Sequence, residues 1–445
     1  MEKHKILIIS YLFPPAGGIA VQRALSLAKY LPGCGFEVHV LSANNAAGPV
    51  RDPDLLQQVP AEVMLHGSFT PEIPFGVRQW LWKRLSGGGK TQTARVPTVK
   101  RRFSVKGLLA DAIKRVLCPE PEVLWVPFAL RQARRIVKKY DIEIVLVTVP
   151  PFSALIAGTR LKREFPDITL VSDFRDEWLS FYLKDFDFQS GDYTRRRAEA
   201  IERETVERSD LVVAVTPSSL QEIRERYPEQ PASKFACVHN GYDPEIFADF
   251  QCRRHGQPVT IVTHVGTAYK TASPRYYLDA LDGMPEEFRS RIETRFIGRI
   301  SDSERALLDA RKSLVKLLGF MPQQQALRQI EETDFLLLTM TNEISLPGKL
   351  FEYLATGKPI LAITPRGSEV ARILTETGGG WCAGPDDQVG IQAMLHRALD
   401  AARCGTEWFR GDREAIRRYE RPRLAAEYAK QIEEQRAFTG QCKAG

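Results

Sequence analysis

At 445 residues with a net charge of +7, the chain is too long for one ordinary hydrophobic core and long enough for two domains of typical size. Its 43% hydrophobic and 26% charged residues exclude a disordered chain, and no apolar run approaches the roughly 18 residues that a membrane-spanning helix needs. Cys34, Cys118, Cys237, Cys252, Cys382, Cys404 and Cys442 stand apart with no close pair at metal-ligand spacing, which points to reduced thiols in a cytosolic protein.

The basic lead and short apolar run at the start end at Pro14-Pro15, so they read as a first strand over 5–10 rather than a signal peptide. A loop over 11–18, a helix over 19–31 with Val21, Leu25, Ala28 and Leu31 near one face, and a strand over 36–42 complete a Rossmann-like opening. Gly17 and Gly18 stand immediately before the helix. Paired glycines there either let a ligand approach the backbone at a helix N-terminus or serve a turn that needs positive φ. Gly-x-Gly-x-x-Gly is absent, and no acidic residue closes the second strand, which disfavours a nicotinamide dinucleotide.

Between 43 and 126 the patterning loosens. The stretch 78–117, opening on Arg78 and closing on Leu117, mixes Lys83, Arg84, Lys100, Arg101, Arg102 and Lys106 with Trp80, Trp82 and Phe103, against Asp111 alone. Bases interleaved with tryptophan suit an anionic membrane surface. A solvated loop and nucleic acid are the other readings, and the expected partner is the membrane rather than nucleic acid.

Regular alternation then resumes: a basic helix over 128–140, a strand over 142–149, a helix over 152–165 and a strand over 168–172. Asp173-Phe-Arg-Asp-Glu-Trp178 follows at the strand's carboxyl end, where parallel sheets carry their sites. Asp173 and Asp176 are placed to orient or deprotonate an acceptor hydroxyl; the alternative is an ion pair with Arg175 that stiffens the loop. Two further α/β steps end at a strand over 234–238, and the turn-rich His239-Asn-Gly-Tyr-Asp243 marks the domain boundary.

The second half starts over with a strand over 259–266 that ends in Gly266, followed by Thr267 and Lys270 in the loop. Strands over 294–297 and 315–318 end in Gly298-Arg299 and Gly319-Phe320. A buried strand over 334–340 leads through a polar loop to a helix opened by Pro347 and stopped by Gly357 and Pro359, and a strand over 359–364 follows. Backbone N–H groups from Ser345 through Gly348 to Lys349, the helix dipole and the Lys349 ammonium together suit a phosphate. Glu352, one turn on, suits a sugar diol; in the plainer alternative it pairs with Lys349 on a solvated face. Residues 413–435 read as mostly helical.

Two Rossmann-like halves joined near residue 240 resemble the GT-B fold, an α/β architecture of two facing domains with parallel sheets and an interdomain cleft. The motif order is similar to glycosyltransferase family 4, also called glycosyltransferase group 1. It comprises Pro-Pro-x-Gly-Gly after the first strand, His239 to Asp243, the Gly266 loop with Lys270, Gly319-Phe-Met-Pro322 and the Glu343 to Glu352 region.

The resemblance implies an acceptor domain over 1–238 with a basic insertion around 70–125, a donor domain over 239–410, and a helical segment over 411–445 that packs back on the first. It implies a retaining, metal-independent transferase with no cofactor, which moves a hexosyl or N-acetylhexosaminyl group from a nucleotide-diphosphate sugar to a lipid-linked or cell-envelope saccharide. The expected location is cytoplasmic, peripheral at the inner face of the membrane. On matching positions, Glu352 holds the ribose, Lys270, Lys349 and the backbone from Ser345 past Pro347 hold the diphosphate, and Gly319 and Phe320 border the base. Gly266, Thr267 and Arg299 line the same edge, and Gly17 and Gly18 approach from the other domain. The family's two glutamates have seven residues between them, whereas that place before Glu352 holds Ile344; either Glu343, one residue further, or Ser345 takes the place of the first. Asp173 or Asp176 stands where many relatives carry a histidine. A nucleotide-sugar 2-epimerase and a non-catalytic nucleotide-sugar binding subunit share the architecture and remain as alternatives.

Overall fold

The computed structural model describes residues 3–46, 50–71, 115–182, 191–252, 259–404 and 411–444. The chain divides into two units, Met1–Val238 with Ala425–Gly445, and His239–Leu424.

The first unit is built on a seven-stranded parallel sheet. Its strands are β1 (His4–Ile9), β2 (Phe36–Ala43), β3 (Met64–Ser68), β4 (Ile144–Val149), β5 (Thr169–Phe174), β6 (Leu211–Ala214) and β7 (Phe235–Cys237), in the order β3-β2-β1-β4-β5-β6-β7. The order reverses between β1 and β4, and the loops after their carboxyl ends open at that switch point. Helices cover both faces, so strands such as β4, Ile-Val-Leu-Val-Thr-Val, are buried at every position. The helices α1 (Ile19–Tyr30), α2 (Val126–Tyr140), α3 (Leu155–Glu164), α4 (Asp192–Arg208) and α5 (Pro217–Arg226) follow the expected places. In α2 the buried residues Val126, Ala129, Leu130, Ala133, Ile136 and Val137 recur at helical spacing, which leaves the lysines and arginines outside.

Two departures from the sequence reading matter. β3 has one neighbour only, so its Met-Leu-His-Gly-Ser is half exposed and carries no apolar pattern to find. β5 runs two residues beyond its expected end and so takes Asp173 into the sheet. The stretch 78–117 lies outside the described residues apart from its last three, and with it the expected basic insertion and membrane contact. Among the described residues no helix is long and apolar enough to cross a membrane.

The second unit repeats the plan with six parallel strands. They are β8 (Thr260–Val265), β9 (Ile292–Ile297), β10 (Val315–Gly319), β11 (Phe335–Thr339), β12 (Ile360–Ile363) and β13 (Gly380–Ala383), in the order β10-β9-β8-β11-β12-β13. Its helices are α6 (Arg275–Asp282), α7 (Glu286–Arg289), α8 (Asp302–Asp309), α9 (Gln323–Glu331), α10 (Lys349–Thr356), α11 (Glu369–Thr377), α12 (Gln388–Cys404) and α13 (Arg413–Arg417). Alternate residues of β11 feed two cores: Phe335 and Leu337 meet Leu278 and Leu395, while Leu336 and Leu338 meet Leu350, Leu354 and Ile373. Gly241 is required where it stands, because a Cβ there would lie 2.1 Å from the Tyr419 carbonyl oxygen. The last helix, α14 (Arg421–Ala444), belongs to the first unit from Ala425 on, where Ala425, Tyr428, Ala429 and Ile432 are buried and Arg436 pairs with Glu143.

Candidate functional site

In the second unit the loops at the carboxyl edge are sewn together by backbone hydrogen bonds. Gly266 N–H donates to Ile297 O (2.8 Å), Ala268 N–H to Arg299 O (2.9 Å), Gly298 N–H to Gly319 O (2.8 Å) and Thr341 N–H to Thr271 O (2.9 Å). Gly298, at φ +125°, has to be glycine: a Cβ there would lie 2.3 Å from Gly266 O. These bonds bring Gly266, Thr267, Lys270, Arg299, Gly319 and Phe320 onto one rim. The Arg299 guanidinium lies 5.5 Å from the centre of the Phe320 ring, which is 68% exposed.

Lys349 opens α10 beneath that rim, close enough to Gly266 that a Cβ there would be 3.8 Å from Nζ. Lys349 and Glu352 form no ion pair with each other, so the pairing alternative is not what the fold contains. Lys349 is half-buried among the loops, and burial lowers its pKa to about 7. Burial likewise raises the Glu352 carboxyl above the usual range, with Arg421 partly offsetting it. Neither Glu352 oxygen has a hydrogen-bond donor among the described residues. The Ser345 N–H, expected free, is taken by Asn342 Oδ1 (2.7 Å), a loop bond that holds the approach to Pro347 and Gly348. Glu343 is exposed, and its carboxylate faces Gly367 after β12; its carbonyl accepts from Glu369 N–H.

Two residues that the sequence reading passed over organise this edge. Tyr353 is buried, and its hydroxyl accepts from Val265 N–H (2.7 Å) and donates to Val265 O (3.1 Å). β8 pairs with β11 only at Val262 and Thr263, so Val265 lies where the two strands have parted and its backbone takes a side chain instead. That bond fixes α10 against the end of β8. His264, buried, lies between β11 and Lys349, with Nδ1 3.2 Å from Leu337 O and Nε2 3.4 Å from Lys349 Nζ. A histidine in an otherwise apolar strand was the available signal for it; one aromatic in an apolar helix gave none for Tyr353.

In the first unit the corresponding edge absorbs most of its charges internally. Asp173 is fully buried and accepts from Arg23 through Nε (3.2 Å) and Nη2 (2.7 Å), and from Thr148 Oγ1 (2.7 Å). Arg23 also donates to Val238 O (3.0 Å), and the Tyr428 ring centre lies 5.4 Å from its guanidinium. Asp173, expected at an open strand end, is therefore a structural anchor inside the sheet. Arg175 clamps the carbonyls of Val149, Ala20 and Pro150, and Glu177 pairs with Arg226. Asp176 alone of the cluster's acids makes no hydrogen bond or ion pair among the described residues. It is half-buried, and burial raises its pKa against the pull of Arg175.

Gly17 also differs from expectation. Its N–H donates to Val50 O (3.0 Å), and a Cβ would meet Asp52 Cβ at 2.9 Å, so its glycine requirement comes from packing against the segment 50–52. Gly18, at φ +85°, is the N-cap of α1, and the nearest atom to a Cβ there would be 3.9 Å away.

Residues 94–246 match Glycosyltransferase Family 4. A probable glycosyltransferase, WbjE of Pseudomonas aeruginosa, is 28% identical over 102 residues, 22% of this chain and 26% of that protein; the match thus spans about a quarter of the curated relative. Among solved structures, the lipopolysaccharide outer core galactosyltransferase WaaB in its apo form superposes with a TM-score of 0.59 at 14% identity, covering 97% of this chain and 99% of the other. Anabaena HepE in complex with UDP and glucose gives 0.57 at 14% identity, covering 99% and 100%. At such identities the structural likeness establishes the fold: two parallel α/β sheets in the GT-B arrangement. The chain thus has the fold of GT-B glycosyltransferases, and its residues 94–246 are similar to glycosyltransferase family 4.

Proposed function

We propose that the chain transfers a hexosyl or N-acetylhexosaminyl group, with retention and without a metal, from a nucleotide-diphosphate sugar to a lipid-linked or cell-envelope saccharide. The observation that carries the reading is the pair on α10: a half-buried lysine and a half-buried carboxylate, three residues apart, each without an ionic partner on the other. An unpaired ammonium at a helix N-terminus suits the diphosphate, and an unpaired carboxylate one turn deeper suits a ribose diol. Lys270 and Arg299 on the rim add positive charge, and Phe320 offers an exposed ring for a base.

As the glycosidic bond breaks, negative charge grows on the departing phosphate oxygen. Lys349 and the free N–H groups of Gly348 and Lys349 are already in place there, so stabilising that charge requires no rearrangement. In this reading the cations do what a metal does in other transferases, and no cofactor is needed. Asp176, unpartnered and with its carboxyl pKa raised by burial, manages the acceptor hydroxyl in place of Asp173. HepE, a structural neighbour, is seen with UDP and glucose, which supports a nucleotide-sugar donor here. A cytoplasmic protein resting on the inner membrane leaflet remains the proposed setting, resting on the composition of the stretch 78–117.

A thermal-shift panel of nucleotides and nucleotide sugars tests the reading, since a ligand specific to the folded state raises the melting point by mass action. A uridine or guanosine diphosphate sugar is expected to stabilise the wild type, and Lys349→Met to lose most of that shift together with about a hundredfold or more in transfer rate. Stabilisation by NAD or FAD, with none by any nucleotide diphosphate, overturns it.

A further inference from the structure

His264 and Lys349 present a pairing that the general phosphate-site chemistry does not require. A carbonyl oxygen only accepts, so the 3.2 Å contact to Leu337 O places the proton of a neutral imidazole on Nδ1. The Nε2 lone pair then points at Lys349 Nζ, 3.4 Å away, at the long end of hydrogen-bond range. The ring has little freedom to turn: it is buried at the end of β8, with the Phe296 ring 5.4 Å from it on β9. Burial and the neighbouring ammonium push the histidine's pKa well below its ordinary value, so it stays neutral and its lone pair stays available.

Lys349 has no other hydrogen-bond partner among the described residues. The remaining ionisable groups about this turn are elsewhere engaged or further along: Tyr353 has its hydroxyl on Val265, and Glu352 feels Arg421. Methylene carbons of the lysine run past Gly266, where a Cβ would lie 3.6 Å from Cδ, so the stem is confined as well as the head.

We propose that His264 is the positioning residue of the diphosphate site: its Nε2 lone pair holds the Lys349 ammonium at the mouth of α10, and the Nδ1–H bond to Leu337 fixes that lone pair's direction. A long flexible lysine otherwise loses rotamer freedom each time a donor binds. A neutral acceptor orders it beforehand without competing for its charge, as a carboxylate would. The inference rests on the donor-site reading above.

Two substitutions separate the ring's nitrogens. In His264→Asn the amide nitrogen stands in for Nδ1 and keeps the bond to Leu337, but nothing reaches Lys349. In His264→Gln the amide oxygen stands in for Nε2 and restores an acceptor. The readout is the pH dependence of Lys349 acylation, followed by mass spectrometry from about pH 6 to about pH 9, with and without UDP. An ammonium deprived of its acceptor in a partly desolvated site is easier to deprotonate. His264→Asn is therefore expected to move the Lys349 titration to lower pH by roughly one unit and to weaken UDP about tenfold at neutral pH, with His264→Gln recovering much of both. A Lys349 titration in His264→Asn that overlays the wild type, with UDP affinity intact, overturns the proposal. Failure of UDP to protect Lys349 in the wild type instead overturns the donor-site reading, and the comparison of titration curves still decides whether His264 holds the lysine.

Discussion

The carboxyl edge of the first sheet and that of the second both carry acids and bases, and they use them in opposite ways. In the first, Arg23 and Asp173 bond each other bidentately inside the sheet, with Thr148, Val238 O and the Tyr428 ring completing the enclosure. In the second, Lys349 and Glu352 are half-buried, stand three residues apart and leave each other alone. A buried charge paired at good geometry is a structural element; a half-buried charge without a counter-charge is held for something that arrives from outside. Sequence position at a strand end does not distinguish the two cases, because both clusters sit where ligands bind in such sheets.

The largest effect expected from this contrast lies in the first unit. Asp173→Ala leaves the Arg23 guanidinium buried without its counter-charge, which costs about 3–5 kcal/mol when one partner of such a pair is removed. The melting transition of the first unit is expected to fall by on the order of ten degrees, while UDP affinity of the folded protein stays at the wild-type value. A variant that melts normally but no longer transfers sugar would return Asp173 to the catalytic role read from the sequence.

Why Asp173 misled is instructive. The sequence Ile168-Thr-Leu-Val-Ser172 stops looking apolar at Asp173, so a strand ended there in the reading. The buried partner that lets β5 continue through an aspartate is Arg23, 150 residues away on α1, and no local pattern reveals it. The alternation of strands and helices was legible nearly throughout, because two-sided burial writes long apolar runs and glycine or proline marks their ends. The loop residues from Gly266 to Phe320 were legible as a group for the same reason: each follows a recognisable strand. Gly17 looked like a ligand-facing glycine and is one that the segment 50–52 packs against; Tyr353, whose role is a contact with distant backbone, was not legible at all, and His264 showed only as a histidine in an otherwise apolar strand. Local pattern reports an element's faces and ends, whereas it is silent on which distant group a polar side chain will meet.

A smaller effect tests the second half of the contrast. Glu352→Gln keeps the size of the side chain and removes the charge, so each hydrogen bond from a ribose hydroxyl loses its charge assistance. Hydrogen bonds to charged groups contribute about 1.5–3 kcal/mol, so donor affinity measured by calorimetry is expected to weaken about ten- to a hundredfold with little change in melting temperature. If the substitution instead stabilises the protein and leaves UDP binding untouched, Glu352 is a tolerated buried acid and not a ligand group.

The mildest test needs no substitution and uses Lys349 in its own titration. Burial lowers the pKa of the free lysine to about 7, and a bound diphosphate, by opposing desolvation with negative charge, raises it. Below the free value the ammonium is already formed and pH has no leverage through this group. Above it, each binding event must first protonate the amine, so UDP affinity falls as pH rises and approaches a tenfold loss, ~1.4 kcal/mol, per pH unit until the bound-state pKa is reached. Phosphate ionisation of UDP bends the same curve at lower pH, so the diagnostic quantity is the difference between wild type and Lys349→Met: the wild type is expected to lose affinity steeply between about pH 7 and about pH 9, and the variant, weaker throughout, to stay nearly flat over that range. Parallel curves for the two proteins would mean that Lys349 is fully ionised across that range in the free site, and the contrast between the two sheet edges would no longer hold.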